Sequence, residues 1–248
     1  MYFDADTIRQ TVEFIHNFLA GILFPARCPV CDGILLPQMR ICSACDVQVK
    51  RIREPVCKRC GKPLEDERRE YCSDCERKRH YFTQGKAVFV YEGGIRQSLY
   101  RFKYSNKREY AGFYADEANR LYHEWLIERN IEVIIPIPMY IWKQRLRGYN
   151  QAEVFARALE KDTGIPVDTQ LIRRIRNTTP QKKLSDVERR GNLKNAFQLR
   201  SDIVKYKQII LVDDIYTTGS TMDAVAKILV AAGVEEVYFI CISIGKGY

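Results

Sequence analysis

The sequence predicts an α/β fold, a doubly wound parallel sheet preceded by a small cysteine-rich module. Three observations predict it. After residue 80, segments rich in Val and Ile alternate with segments of helical period, the pattern of parallel strands joined by crossover helices. Before it, eight of the nine cysteines stand between positions 28 and 75 as four Cys-x-x-Cys pairs. The texture changes near residues 76–84, where a linker is expected. Three segments follow: an N-terminal amphipathic helix in 1–25, the cysteine module in 26–80 and the α/β domain in 81–248.

In the first segment Ile8, Val12, Ile15, Leu19 and Ile22 recur at spacings of three and four, with Arg9, Glu13 and His16 between them. This is a helical stripe. Its polar face is mixed in sign rather than basic, so it is expected to pack on protein rather than on a membrane. The 248 residues are 46% apolar and 29% charged, enough to bury a core and too apolar for disorder. No apolar run approaches the roughly 18 residues of a spanning helix, and no signal peptide is legible. A cytoplasmic location is expected, with partners holding the protein at the inner face of the membrane.

In a reducing compartment, closely spaced cysteines favour metal over disulfides. Each Cys-x-x-Cys presents two sulfurs to one ion from a single tight turn, and Gly33 and Gly61 follow two of these turns. Four pairs supply two closed tetrahedral Zn2+ sites of four thiolates, which leave no position for a catalytic water and are therefore structural. Intervals of 10 and 11 residues favour sequential pairing over a cross-braced arrangement, because they close the smallest loops. The ligand sets are then Cys28, Cys31, Cys42 and Cys45, and Cys57, Cys60, Cys72 and Cys75. Cys241 lies in a strand pattern and reads as core.

The α/β segment opens with a strand at Lys86–Tyr91 and helical periods at Ile95–Tyr104 and Tyr110–Ile127. Strands are expected at Val133–Ile137, Gln208–Val212 and Glu236–Ser243, and helices at Gln151–Lys161 and Thr221–Ala232. The most specific stretch runs from Ile209 to Thr221, where an apolar strand delivers Asp213 and Asp214 and a turn of Thr217, Thr218, Gly219, Ser220 and Thr221 opens the next helix. Free amides at a helix start, with four hydroxyls, form a cradle for a phosphate. Gly219 allows close approach and a positive φ. Two carboxylates beside the cradle can accept hydrogen bonds from ribose hydroxyls, so the stretch describes a sugar 5-phosphate. An ordinary strand-to-helix turn is the bland alternative, and it does not require this length of match.

The net charge of +9 is unevenly placed. Residues 139–200 hold 14 basic and 6 acidic side chains, whereas residues 1–80 hold 14 and 12. The basic quarter is expected to face a polyanion, either a diphosphate or a nucleic acid. Its candidates are Lys143, Arg145, Arg147, Asn150 and Gln151 after the strand ending Pro136-Ile137-Pro138, then Lys182, Lys183, Arg189 and Arg190 within 178–197. Asn150 reads equally well as a helix cap. Lys103 reads equally well as one more site cation or as a surface residue.

The Ile209–Thr221 stretch resembles the phosphoribosyl-diphosphate signature of the type I phosphoribosyltransferases. The resemblance implies that fold, with ribose hydroxyls on Asp213 and Asp214, the 5-phosphate on Thr217 to Thr221, and Mg2+ bound together with phosphoribosyl diphosphate. Many members carry Gly where this chain has Ser220. In the same family, basic residues after Pro136-Ile137-Pro138 receive the diphosphate, and residues 178–197 resemble a hood that closes over substrate. The chain as a whole resembles the ComF family of bacterial competence proteins. The matching segments are Phe24-Pro25 before Cys28, Phe102-Lys103-Tyr104, Pro136-Ile137-Pro138, Arg147-Gly148-Tyr149-Asn150-Gln151 and the phosphate loop.

That resemblance implies a double zinc ribbon, a role in DNA uptake during natural transformation, and contact with single-stranded DNA. Its partners would be a ComFA-like ATP-driven helicase and other competence proteins. An active transferase passing phosphoribosyl to a base or nucleotide is the competing function, for which the sequence offers no general acid or base and no acceptor pocket. A zinc protein that only binds nucleic acid ranks last, because Asp213 and Asp214 would repel a DNA backbone.

Overall fold

The computed structural model describes residues 25–177, 196–200 and 205–245. The amphipathic stripe of residues 6–23 lies outside them, as do Lys182, Lys183, Arg189 and Arg190. The chain forms two compact units, residues 1–48 and 49–248. This division falls inside the cysteine module, between its halves.

In the first unit, Arg27 and Ile34 pair across a tight turn, and the helix α1, Ser43–Asp46, follows Cys42. The second unit repeats the device. Val56 pairs with Pro63, and α2, Ser73–Arg77, follows Cys72. In both turns the first cysteine's amide donates across the knuckle, Cys28 to Gly33 O at 2.8 Å and Cys57 to Lys62 O at 2.7 Å.

The sheet of the second unit is parallel throughout. Its strands are β1 (Gln84–Val90), β2 (Val133–Pro136), β5 (Gln208–Tyr216) and β6 (Glu236–Ile244), in the order β1-β6-β5-β2. A short antiparallel pair, β3 (Ile172–Arg174) with β4 (Phe197–Leu199), stands apart. The edge of β1 is covered by the chain before the second knuckle, with Ile52 N–H on Val88 O at 2.9 Å and Val90 N–H on Lys50 O at 2.9 Å. Covering an edge in this way removes a template for unwanted strand pairing. Arg51 fixes the cover by a bidentate pair to Glu117 at 2.7 and 2.8 Å.

Between β1 and β2 run α3 (Gly93–Tyr104) and α4 (Tyr110–Glu128), and after β2 come α5 (Ile141–Arg147) and α6 (Gln151–Thr163). Helix α6 packs on α4 and against β2 and β5, so both helices cover one face. That face is aromatic. Phe89 stacks on Phe113 with centroids 5.5 Å apart, and Phe102 meets Tyr114 at 5.4 Å and Tyr149 at 6.0 Å. Helix α7 (Ser220–Ala231) joins β5 to β6 and packs on β6 and β4. Its Val225, Ala226 and Leu229 enter a separate core with Ile209, Leu211, Val237 and Phe239. Each buried Val, Leu, Ile or Phe among these contributes roughly 1.5–3 kcal/mol of transfer free energy.

The chain therefore leaves β2 and β5, which are neighbours, toward opposite faces. Their carboxyl ends frame a crevice at a topological switch point, the place where open α/β sheets bind ligands. Strand β5 is longer than its apolar run. Because β6 continues beside it, Asp213 pairs with Cys241, and Tyr216 with Ile244. The two acids thus sit within the strand rather than beyond its end.

Candidate functional site: two thiolate tetrads and the loop after the fifth strand

The eight sulfurs gather into two tetrads, Cys28/Cys31/Cys42/Cys45 and Cys57/Cys60/Cys72/Cys75, with all ligand atoms of each within 4.8 Å. This is the sequential pairing that the short intervals favour. Cys31 Sγ lies 3.8 Å from Cys42 Sγ, and Cys60 Sγ 3.7 Å from Cys72 Sγ. Four sulfurs held tetrahedrally about 2.3 Å from one zinc ion stand about 3.8 Å apart, whereas a disulfide needs about 2.05 Å. The donor set fits structural zinc in both places. Beside the second tetrad Lys62, whose side chain is only 5% exposed, pairs with Asp74 at 2.6 Å and feels the sulfurs of Cys60 and Cys72.

The second tetrad is part of the domain core. Cys57, Cys60 and Cys72 are buried in the cluster that holds Phe82, Tyr216, Val225 and Phe239. Gly61 makes the close approach possible, since a Cβ there would stand 2.8 Å from Gly85 O and its φ is +74°. Arg59 adds donors to the carbonyls of Phe82 at 3.1 Å and Thr83 at 2.9 Å. Metal analysis is expected to find two zinc ions per chain, and less than one equivalent in protein purified without chelator would contradict the tetrads.

At the end of β5, Asp214 pairs with Lys103 at 2.9 Å, both side chains being less than one-fifth exposed. Lys103 is brought there by the end of α3. The Phe102 carbonyl accepts the buried Tyr149 hydroxyl, and the Arg147 guanidinium lies over the Tyr104 ring at 4.8 Å. Asp213 accepts the Asp214 amide at 2.8 Å. Burial, and then the charge of Asp214, push the Asp213 carboxyl up to about 7, against the pull of that amide, Lys103 and Arg174. A pair of carboxylates in which one is poised near neutrality is common where ligands are handled.

Further cations lie around Arg174. Burial, then Arg174 and Arg147, lower the Lys143 ammonium, so three cations share one neighbourhood. Arg174 also feels Asp213. Arg145 lies elsewhere, stacked at 5.0 Å on the exposed Trp142. The amides of Asn150 and Gln151 have structural work. Asn150 caps α6 by accepting the Ala152 amide at 3.2 Å and donates to Ile137 O at 3.0 Å. Gln151, 1% exposed, accepts from Arg147 at 2.5 Å.

The loop 217–221 closes the crevice from the α7 side. Gly219 has φ +74°, and a Cβ there would stand 2.5 Å from the Tyr216 hydroxyl. Thr218 Oγ1 and Ser220 Oγ are 2.9 Å apart. The N-terminus of α7 carries no side-chain cap, so its first amides are not met by a capping side chain. Sequence reasoning missed Arg174, and it also missed a cluster on the first turn of α7. There Asp223, 8% exposed, accepts from Lys78, from Tyr81 N–H at 3.0 Å and from His80 Nδ1 at 2.8 Å. Despite burial, the largest influence, those donors hold its carboxyl below the usual carboxylate range.

Two family models match. The double zinc ribbon domain covers residues 19–76, and the phosphoribosyl transferase domain covers residues 145–246. With the parallel sheet and the tetrads they define the class, a phosphoribosyltransferase-type α/β protein led by a double zinc ribbon. The chain is 33% identical to competence protein F of Haemophilus influenzae, over 86% of this chain and 95% of that one. It is 28% identical to competence protein ComFC of Bacillus subtilis, over 88% and 94% of the two chains. It is 30% identical to DNA utilization protein YhgH of Salmonella typhimurium, over 88% and 96%. The chain belongs to the competence protein F family. Among the described residues, no helix is long and apolar enough to cross a membrane.

Proposed function

We propose that this chain is a competence protein that handles incoming single-stranded DNA, and that its α/β domain binds phosphoribosyl diphosphate with Mg2+. The observation that carries the ligand is the juxtaposition of the Asp213–Asp214 pair, the 217–221 loop and the cations Lys103 and Arg174. Acids for ribose hydroxyls, amides and hydroxyls for a 5-phosphate, and cations for a diphosphate match one ligand in three places. Bound Mg2+ would neutralise diphosphate charge, and the half-buried acids offer acceptors for its water shell. Titration calorimetry with Mg2+ and phosphoribosyl diphosphate is expected to give saturable heat that Asp214→Ala reduces at least tenfold in affinity. Absence of heat and of any thermal shift at millimolar ligand would refute the site.

For DNA, support comes from exposed rings already paired with guanidinium groups. Trp142 lies under Arg145, and Tyr104, stacked at 5.0 Å on Tyr100, lies under Arg147. Bases stack on such platforms with little sequence preference. Affinity for a single-stranded oligonucleotide is expected to fall about tenfold or more between 50 and 200 mM salt, as counterion release requires for three or four neutralised phosphates. Trp142→Ala should weaken it about fivefold or more. Salt-independent binding would contradict this reading. A ComFA-like ATP-driven helicase and other competence proteins are the partners it implies, at the inner face of the membrane.

A second reading, an active phosphoribosyltransferase, is favoured by one feature. Next to the end of β2 lies a cleft of about 680 Å³, lined by Pro136, Tyr140, Gln144, Arg173, Arg174 and Arg200, with room for an acceptor base. Diphosphate release in the presence of candidate bases tests it.

A further inference from the structure

The contacts around Asp223 join the second metal site to the phosphate loop. The chain leaving Cys75 passes through α2 and within a few residues places Lys78, His80 and the Tyr81 amide on the one Asp223 carboxylate. Asp223 belongs to the first turn of α7, and its own amide donates to Gly219 O at 2.8 Å. A second line of contacts runs beneath. His80 stacks on Phe82 at 4.5 Å, and Phe82 meets Tyr216 edge-on at 6.2 Å. The Tyr216 hydroxyl occupies the space that a side chain at position 219 would need. Both lines end on the Gly219–Ser220 turn. His80 Nε2 is buried with no hydrogen-bond partner among the described residues.

We propose that the second tetrad's metal governs the phosphate loop, with Lys78, His80 and Asp223 as positioning residues that transmit its occupancy. Zinc at Cys57, Cys60, Cys72 and Cys75 fixes the start of the 76–82 segment, which fixes the first turn of α7 and the conformation of Gly219. Loss of that metal frees the segment and loosens the loop. The first tetrad lies in the other unit and serves as an internal control. Coupling between two sites is reciprocal, so an occupant of the phosphate loop must tighten zinc at the second tetrad by the factor by which zinc tightens that occupant. Only this last consequence rests on the phosphoribosyl reading.

Hydrogen exchange on the full chain tests the device without any phosphoribosyl ligand. Removing zinc with a chelator from the Cys28→Ser variant, which keeps only the second site, should speed exchange of residues 217–224 at least tenfold. Asp223→Asn, with zinc content unchanged, should speed the same residues several-fold while residues 57–75 keep their protection. The second variant decides the matter if removing the metal unfolds the whole unit. Loop exchange that stays at the zinc-loaded, wild-type rate in Asp223→Asn overturns the proposal. So does an unchanged loop in the metal-free protein whose residues 57–75 have lost protection. A loop that loosens in both, in a protein that fails to bind phosphoribosyl diphosphate, would sustain the coupling and refute the ligand.

Discussion

Cys72→Ser is expected to remove one zinc ion and to lower the Tm of the 49–248 unit by about 10 °C or more, as follows from the on the order of 10 kcal/mol that structural zinc supplies and the 2–4 °C per kcal/mol of a unit this size. Cys28→Ser should also remove one zinc ion, yet shift the same transition by less than about 3 °C, the size of a change of roughly 1 kcal/mol. The asymmetry follows from burial. Cys57 and Cys60 are each 1% exposed and Cys72 6%, packed among Phe82, Tyr216, Val225 and Phe239. Three unliganded thiols and a serine hydroxyl there would open the knuckle and uncover the apolar side chains beneath. The first tetrad closes a knuckle in the other unit. Calorimetric melts of the two variants, with zinc counted in each, make the comparison. Equal shifts would mean that the second ribbon is an appendage, as a linker near residue 80 would have it.

What was legible in the chain tracks the range over which each signal acts. Cys-x-x-Cys is a local device, so the metal sites could be read from spacing alone. The parallel sheet was equally open to view, because β5 and β6 are apolar runs that need no partner to be recognised. The pair β3 and β4 was not. Three residues each, with Arg173, Arg174 and Gln198 among them, are too few and too polar to show a period. Lys103 reads two ways in sequence, because its meaning lies in a carboxylate more than a hundred residues away. Arg174 carried no local signal at all. Asp223 looks like any first-turn acid and His80 like a lone linker histidine, and only folding brings them together. The union of the second ribbon with the α/β core was hidden for the same reason. The sequence around Cys60 and Cys72 says that they bind an ion, and nothing near them says what they pack against.

Asp213→Asn is expected to stabilise the protein and to abolish the ligand site together. The sign follows from the direction of the shift. The folded-state pKa is raised, to about 7 from 3.8. Below 3.8 the carboxyl is neutral in both states and costs nothing. As the pH rises from there toward 7, the unfolded chain ionises while the folded chain resists, and folding stability falls. Above 7 the cost is full and constant. At about 1.4 kcal/mol per pK unit the cost is a few kcal/mol at pH 8 and smaller at pH 5, the group being half-buried rather than sealed. The amide bears no charge and escapes it. Asp213→Asn should therefore raise Tm at pH 8 by several degrees more than at pH 5, while phosphoribosyl diphosphate affinity drops at least tenfold. In the wild type, affinity should rise with pH to about 7 and then level off, because the ionised acid is the better acceptor. Thermal melts at both pH values, beside calorimetry at each, separate the alternatives. A variant that is less stable at pH 8 would make Asp213 a structural residue. A gain in stability bought by loss of binding is the mark of a carboxylate kept in an unfavourable place for its ligand.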